Sequence, residues 1–188
     1  ADAIKFMAAI VRLNLSGNMI TGSTGVGTRR GKYDNDLSGL VSLCDALPTL
    51  KNPIELDLSN CGLSVNGVNP VAKAISAGAV LTSMNCLNNP LGEGVHTIIK
   101  VFEETPRLRT LCGLEEGVEQ IDWSNSRKGP ADVALLAAEL KAGRAGAVVT
   151  SINCLANKFG EEDLATLLTA IEGTSVRSLC GLIEGQTV

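Results

Sequence analysis

The chain has 188 residues, of which 45% are apolar and 19% charged, with a net charge of -4 and a pI near 5.1. This length and composition suit one domain, or one continuous repeat array, with a buried core. The acidic balance argues against a general nucleic-acid surface, because phosphate binding needs a basic stripe. No apolar run approaches the roughly 18 residues that cross a bilayer, so direct membrane insertion is not expected.

Short strands are predicted where the pattern apolar-x-x-apolar-x-apolar-x-x-Asn, or a version with a substitute for Asn, recurs along the chain. The central apolar pairs are Leu13/Leu15, Leu56/Leu58, Met84/Cys86, Ile121/Trp123 and Ile152/Cys154, with weaker copies at Leu111/Gly113 and Leu179/Gly181. The connecting segments predict helices, because their apolar residues recur at three- and four-residue spacing. The clearest helices are expected at residues 93–104, 131–140 and 161–171, and no helix is expected between Leu114 and Glu119.

A Gly-rich insertion at about residues 21–35 separates the first strand from the second. Its basic residues are Arg29, Arg30 and Lys32, between closely spaced glycines. The spacing does not match the P-loop pattern, since Tyr33 stands where Ser or Thr would ligate magnesium. A mobile surface loop is the simpler interpretation, and a docking loop for an acidic partner is the alternative.

The same 68-residue unit occurs twice, which indicates a repeat protein. Residues 82–89, Thr-Ser-Met-Asn-Cys-Leu-Asn-Asn, return at 150–157 as Thr-Ser-Ile-Asn-Cys-Leu-Ala-Asn. Residues 111–114, Leu-Cys-Gly-Leu, return at 179–182. Such self-similarity is typical of units that stack on their neighbours, and it favours a binding or scaffold surface over a catalytic pocket.

Residues 54–60 and 81–92 resemble leucine-rich repeats, and the helical connectors are similar to the ribonuclease-inhibitor-like class. The resemblance covers about residues 10–185. It implies an α/β leucine-rich-repeat solenoid, curved, with parallel strands on its concave face and helices on its convex face. It implies little about function, because the same array serves inhibitors, innate immune receptors and GTPase-activating proteins.

Residues 1–188 are expected to form a single leucine-rich-repeat domain that has no amphipathic cap at its C-terminal end. Two interpretations stay open: a partner covers this end, or the sequence is part of a longer protein. Both interpretations favour a chain that works as part of a larger assembly. The six cysteines include no CxxC pair, so we expect reduced thiols in an intracellular compartment, with the cytoplasm favoured and an organelle still open.

Strand alternation predicts which side chains face the concave surface. The first outward row is Asn14, Asp57, Asn85, Cys112, Asp122, Asn153 and Cys180, and the next includes Leu87, Leu114, Leu155 and Leu182. These leucines either form an apolar interface patch or turn inward at the strand ends. The predicted rim of this surface consists of Arg12, Glu55, Arg109 and Arg177.

No residue pattern predicts catalysis, a cofactor or a metal site. His96 is the only histidine and falls in a predicted outer helix, so a nucleophile–histidine pair is not expected. With one histidine and no CxxC pair, no zinc ligand set is apparent. The densest acidic cluster is Glu115, Glu116, Glu119 and Asp122, which is either a solvated turn or a contact for a basic partner.

The sequence therefore predicts a non-enzymatic protein-interaction module, a scaffold or accessory subunit within a hetero-complex. Three alternatives remain open at this stage. They are a GTPase-activating-like regulator, a ribonuclease-inhibitor-like protein and a recognition fragment of an innate immune type sensor.

Overall fold

The computed structural model of the chain describes residues 10–26, 28 and 30–183. Strands and helices alternate along most of this length. The strands are β1 (Arg12–Asn14), β2 (Ile54–Asp57), β3 (Leu81–Asn85), β4 (Gln120–Asp122), β5 (Ser151–Asn153), β6 (Ser178–Leu179) and β7 (Leu182–Ile183). The helices are α1 (Ser38–Ala46), α2 (Val65–Ser76), α3 (Gly94–Glu104), α4 (Pro130–Ala142) and α5 (Glu161–Ile171).

The three clearest predicted helices are confirmed to within two residues at each end, and the other predicted strand pairs each overlap a strand, but the predicted strand at Leu111/Gly113 is wrong, because Cys112 forms only an isolated bridge with Asn85. The three clearest predicted helices correspond to α3, α4 and α5, and residues 114–119 contain no helix. Most of the predicted inward pairs are buried, with Met84 and Ile152 fully inaccessible, while Leu13 and Leu15 are half-buried. Within the described residues, no helix combines the length and the apolar content needed to cross a bilayer.

The predicted solenoid is wrong, because the strands do not form one continuous parallel sheet. Strands β1, β2 and β3 form a three-stranded parallel sheet. Strands β4 to β7 form a separate sheet of four, in which β7 pairs antiparallel with β6. The structure is therefore a mixed α/β fold with two sheets and, among the described residues, five α-helices.

The break between the sheets has a physical cause in residues 110–114. This segment still bonds to β3, since the Cys86 N–H donates to the Leu111 carbonyl at 2.9 Å. The Gly113 N–H also donates to β3, to the Met84 carbonyl at 3.0 Å, whereas the N–H groups of Leu111, Cys112 and Leu114 go to side chains rather than to a further strand. The Glu139 carboxylate accepts the N–H groups of Leu111 and Cys112, both at 3.0 Å, and the Thr110 hydroxyl accepts the Leu114 N–H at 2.9 Å. Few backbone donors remain to extend the ladder toward β4.

The helices pack in chain order against a shared apolar core that contains buried residues from Leu40 to Leu179. Arg144 caps the C-terminal end of α3, because its guanidinium donates to the carbonyls of Phe102, Thr105 and Leu108. The same guanidinium lies 4.2 Å from the centroid of the Phe102 ring. These contacts fix the segment after α4 to α3.

A second set of hydrogen bonds connects the loop after β3 to the start of α4. Asp132 accepts the Asn88 N–H at 2.7 Å and the Gly129 N–H at 2.8 Å, so it also caps α4. Lys128 donates to the Asn88 side-chain oxygen at 3.1 Å and lies 5.3 Å from the Trp123 ring centroid. Burial is the main reason that the pKa of Asp132 is raised.

The Gly-rich insertion is anchored at both ends rather than free. Thr21 and Ser23 are buried, and their hydroxyls donate to the Gly62 carbonyl at 3.0 and 2.9 Å. The Asp34 carboxylate accepts the Gly67 N–H at the start of α2, at 2.9 Å. The tip of the insertion is closed by paired backbone hydrogen bonds between Thr24 and Lys32.

Candidate binding groove

A groove of about 360 Å³ lies on the exposed face of the first sheet. Its walls come from β1, β2, β3 and the segment that follows α3, which places side chains from distant parts of the chain around one space. We call it the strand groove. Its lining residues are Arg12, Asn14, Glu55, Leu56, Asp57, Thr82, Ser83, Asn85, Arg109, Thr110, Gly113, Leu114, Glu115, Glu116 and Ala145.

Two ion pairs flank the strand groove. On β1 and β2, the Arg12 guanidinium lies 2.7 Å from the Glu55 carboxylate. Beyond β3, Arg109 pairs with Glu116 through two bonds of 2.9 and 3.1 Å, a geometry that planar guanidinium and carboxylate groups favour. The hydrogen bonds and charge of Arg109 lower the pKa of Glu116. Both pairs are exposed to solvent, so they order the rim more than they stabilise the fold.

The floor between these pairs is polar and locally fixed. The Asp57 carboxylate accepts the Ser59 N–H at 2.9 Å, and the Asn14 side chain accepts the Ser16 N–H at the same distance. Such bonds hold short polar side chains in place at strand ends. Asn85 donates from its amide to the second oxygen of Asp57 at 3.4 Å. The floor therefore presents preoriented amide and carboxylate groups.

The strand groove carries an excess of negative charge. Its lining includes the two arginines and four carboxylates, those of Glu55, Asp57, Glu115 and Glu116. Each arginine is already paired with a glutamate. Among the lining residues, no further basic side chain faces Asp57 or Glu115. The lining residues therefore carry two more negative charges than positive charges.

The structure brings together only part of the predicted surface. Asn14, Asp57, Asn85 and Leu114 line the strand groove, as do three predicted rim residues, Arg12, Glu55 and Arg109. Asp122 and Asn153 pair with each other across the second sheet, outside this groove. The sheet break explains the separation, because β4 and β5 do not extend the first sheet.

Two predicted surface residues are buried. Cys112 is only 5% exposed, because the bonds from its N–H to Glu139 and Thr110 turn the segment inward. Leu87 is 6% exposed and packs in the core, whereas Leu155 is 55% exposed. Leu114 is half-buried at the groove, and the Leu182 side chain lies outside the described part of the chain. The four leucines therefore do not form one patch.

The other predicted residues lie elsewhere. In the insertion, Arg30 and Lys32 are exposed, and Arg29 lies outside the described residues. Arg177 donates to the carbonyls of Thr174 and Val176 at 2.8 and 2.9 Å, which orders its own loop. Cys180 is half-buried and contacts Cys154. Among these residues, none that the structure describes lines the strand groove.

Six lining residues were not predicted to lie on this surface, namely Leu56, Thr82, Ser83, Thr110, Gly113 and Ala145, of which Leu56 and Gly113 belong to predicted inward pairs. The Thr-Ser pair was visible in sequence, because it recurs at 150 and 151 as part of the repeat. Thr110 and Ala145 had no comparable signal. They reach the groove only because Glu139 and Arg144 fix the segments beside them.

A larger cavity of about 920 Å³ lies among the loops that lead from the strands into the helices. It contains His96, whose ring lies 3.6 Å from the Glu93 carboxylate on the same helix and is 73% exposed. Its lining includes no serine or cysteine except Ser126, whose hydroxyl bonds to the Trp123 carbonyl. Within the described residues, no three His, Cys, Asp or Glu side chains are arranged to hold a metal ion.

Comparison with known proteins leaves the family open. The resemblance to leucine-rich repeats rests on the quoted residues alone and stays a prediction. No family model matches the chain, and no curated protein matches it.

Proposed function

We propose that the chain is a non-enzymatic interaction module whose strand groove binds a basic segment of a protein partner. The observation that carries this proposal is the pair of carboxylates, Asp57 and Glu115, that the groove's own arginines do not neutralise. A lysine or arginine from a partner would offset part of this excess negative charge.

The form of the groove supports a polypeptide ligand. Its polar side chains come from β1, β2, β3 and the 109–116 segment, so they extend across the whole first sheet. Asn14, Ser83 and Asn85 offer amide and hydroxyl groups that can bond a peptide backbone. The Arg12 guanidinium contacts Glu55 through Nε, so its terminal nitrogens can donate to a carbonyl of the partner. A segment with a central basic residue fits this pattern.

The lining residues also support a role without catalysis. The strand groove contains no histidine and no cysteine, and its threonines are engaged in backbone contacts. Arg109 lowers the pKa of the Glu116 carboxylate through its hydrogen bonds and charge. A general base or nucleophile in such a site would need an activating partner that this lining does not supply.

We further propose that the partner is a stable component of a hetero-complex in a reducing compartment, with the cytoplasm favoured. The six cysteines are present as free thiols, as is usual for proteins of such compartments.

Neutralising the two unpaired carboxylates is expected to weaken partner binding about tenfold, because each removes one favourable charge contact. The immobilised protein would capture partners from an extract of its source organism, with identification by mass spectrometry. The groove variant is Asp57→Asn with Glu115→Gln. Partners that elute at moderate salt from the native protein should be depleted from this variant.

The chain offers a matched control for this experiment. Asp122→Asn with Glu172→Gln removes the same charge outside the strand groove, and Asp122 makes the same 2.9 Å bond to a following serine N–H as Asp57 does. The control should retain the partners of the native protein. Equal retention by both variants, or equal loss from both, would show that the groove is not the binding site.

A further inference from the structure

Two cysteine thiols meet on the second sheet. The Sγ atoms of Cys154 and Cys180 lie 3.1 Å apart, and the Cys154 N–H donates to the Cys180 Sγ at 3.3 Å. Cys154 follows β5, and Cys180 follows β6, the parallel neighbour of β5. Both thiols are free. A disulfide S–S bond measures about 2.05 Å, so roughly 1 Å of approach separates the two sulfurs from bonding distance.

The repeat shows that this contact is specific to one pair. Cys86 and Cys112 occupy the same positions in the first unit, within the same Leu-Cys-Gly-Leu sequence at the second cysteine. There, the Cys112 N–H bonds to Glu139 and Thr110, and the residue keeps a negative φ. Cys180 instead has a φ of 53°, and Gly181 follows with 84°.

These two residues form the turn between β6 and β7, which pair antiparallel at Leu179 and Leu182. A two-residue hairpin turn with positive φ at both positions is a common connection, but cysteine rarely occupies its first position. This conformation turns the Cys180 thiol toward Cys154. The unusual backbone therefore creates the sulfur contact.

We infer that Cys154 and Cys180 form a thiol-modification site, which closes to a reversible intramolecular disulfide by exchange with a low-molecular-weight disulfide. In the first step, the Cys180 thiol loses its proton and its sulfur attacks the small disulfide. The S–S bond of that molecule breaks and one small thiol leaves. In the second step, the Cys154 sulfur attacks Cys180 Sγ and displaces the other small thiol.

The overall reaction balances. Two protein thiols lose two protons and two electrons to become one disulfide, and the small disulfide takes up both protons and both electrons to become two thiols. Exposure sets the order of attack. Cys180 is half-buried, whereas Cys154 is 6% exposed, and burial raises the pKa of the Cys154 thiol to about 12. Cys180 is therefore the entry point, and Cys154 resolves the mixed disulfide.

The sulfur separation favours a disulfide over a shared metal ion. Two thiolates on one tetrahedral zinc ion, at about 2.3 Å from the metal, would keep their sulfurs roughly 3.8 Å apart. The observed 3.1 Å is shorter than that. No third ligand of the usual type completes a site among the described residues.

The test uses the native full chain in mixtures of oxidised and reduced glutathione. Thiols are blocked with N-ethylmaleimide that is present as the protein is denatured, so that the buried Cys86 and Cys112 also react, and tryptic peptides are analysed by mass spectrometry. Each of the six cysteines falls on a different tryptic peptide. The expected product links peptides 145–158 and 178–188, while the peptides that carry Cys86 and Cys112 stay alkylated. Closing this 26-residue loop should also raise the Tm by roughly 5–10 °C.

Two variants separate the roles of the sulfurs. Cys154→Ser should accumulate a glutathione adduct on Cys180, because the resolving thiol is missing. Cys86→Ser, at the matching position of the first unit, should still form the 154–180 link. The proposal is overturned if the native protein shows no 154–180 link, if Cys86 and Cys112 link to the same extent, or if any link appears only after unfolding.

Discussion

Replacing Asn89 with Ala is expected to lower the free energy of unfolding by about 3 kcal/mol, because four buried backbone groups lose their partner. The Asn89 side-chain oxygen accepts the N–H groups of Cys61 and Leu63 at 2.9 and 3.0 Å. Its amide donates to the carbonyls of Leu58 and Cys86 at 2.8 and 2.9 Å. The side chain is 7% exposed, so water does not replace these bonds. Urea unfolding followed by far-UV circular dichroism would measure the change.

Asn157 provides the matched control, since it stands 68 positions later in the second unit. Its side chain bonds the Lys128 N–H and the carbonyls of Trp123 and Cys154, but it is only half-buried. Asn157→Ala should therefore cost about half as much as Asn89→Ala. A larger loss at Asn157 than at Asn89 would mean that burial does not control the strength of these contacts.

Glu139→Ala is expected to lower the free energy of unfolding by about 3 kcal/mol, because the buried Leu111 N–H would be left unpaired and the Cys112 N–H would keep only its 3.2 Å bond to Thr110. Glu139 has 0% exposure, and one of its carboxylate oxygens has no hydrogen-bond partner. Glu139→Gln keeps an acceptor for the two N–H groups and removes the buried charge. It should therefore destabilise the protein much less than Ala does, as urea unfolding would show.

The stabilities of the native protein and of Glu139→Gln should depend differently on pH, because Glu139 is buried. Desolvation raises the pKa of Glu139 above its ordinary value of 4.5, although hydrogen bonds from Thr110, Leu111 and Cys112 oppose the shift. The folded state then holds this proton more tightly than the unfolded state does. Stability from Glu139 is full below pH 4.5 and is lost as pH rises through the folded pKa.

Comparing the native protein with Glu139→Gln isolates this effect from other titrating groups. The variant should gain stability relative to the native protein as pH rises from 4 to 8. A difference in unfolding free energy that stays constant over this range would contradict a raised Glu139 pKa.

The local elements could be predicted from the sequence because they depend on local periodicity. The strand pairs such as Leu56/Leu58 and the helix at 161–171 need only the spacing of their apolar residues. The repeat also aligned the two units correctly, since matched residues such as Met84 and Ile152 are both buried. These features do not depend on distant side chains.

The sheet break could not be predicted, because it depends on a contact between residues 27 and 28 positions apart. In the sequence, Glu139 is only a charged residue on a predicted helix. In the structure, its carboxylate accepts hydrogen bonds from the backbone N–H groups of Leu111 and Cys112. A strict strand-by-strand interpretation therefore placed Cys112 on the surface. The same limit applies to Cys180, which shares the sequence Leu-Cys-Gly-Leu with Cys112 but has a positive φ of 53°.

The candidate groove was partly visible in sequence. Strand alternation identified Asn14, Asp57 and Asn85, and the rim prediction included Arg109. The pairing of Arg109 with Glu116 was not visible, because seven residues separate them in a segment without regular structure. That pairing decides which carboxylates stay unneutralised, and so it decides the proposed ligand.

Zero-length carbodiimide crosslinking of the captured complex tests the binding proposal most directly, because it joins carboxylates only to amines in contact with them. The expected result is an amide bond from Asp57 or Glu115 to a lysine of the partner, identified by mass spectrometry. The Asp57→Asn and Glu115→Gln double variant should lose these links. Links confined to carboxylates outside the strand groove, such as Asp122 or Glu172, would contradict the proposal.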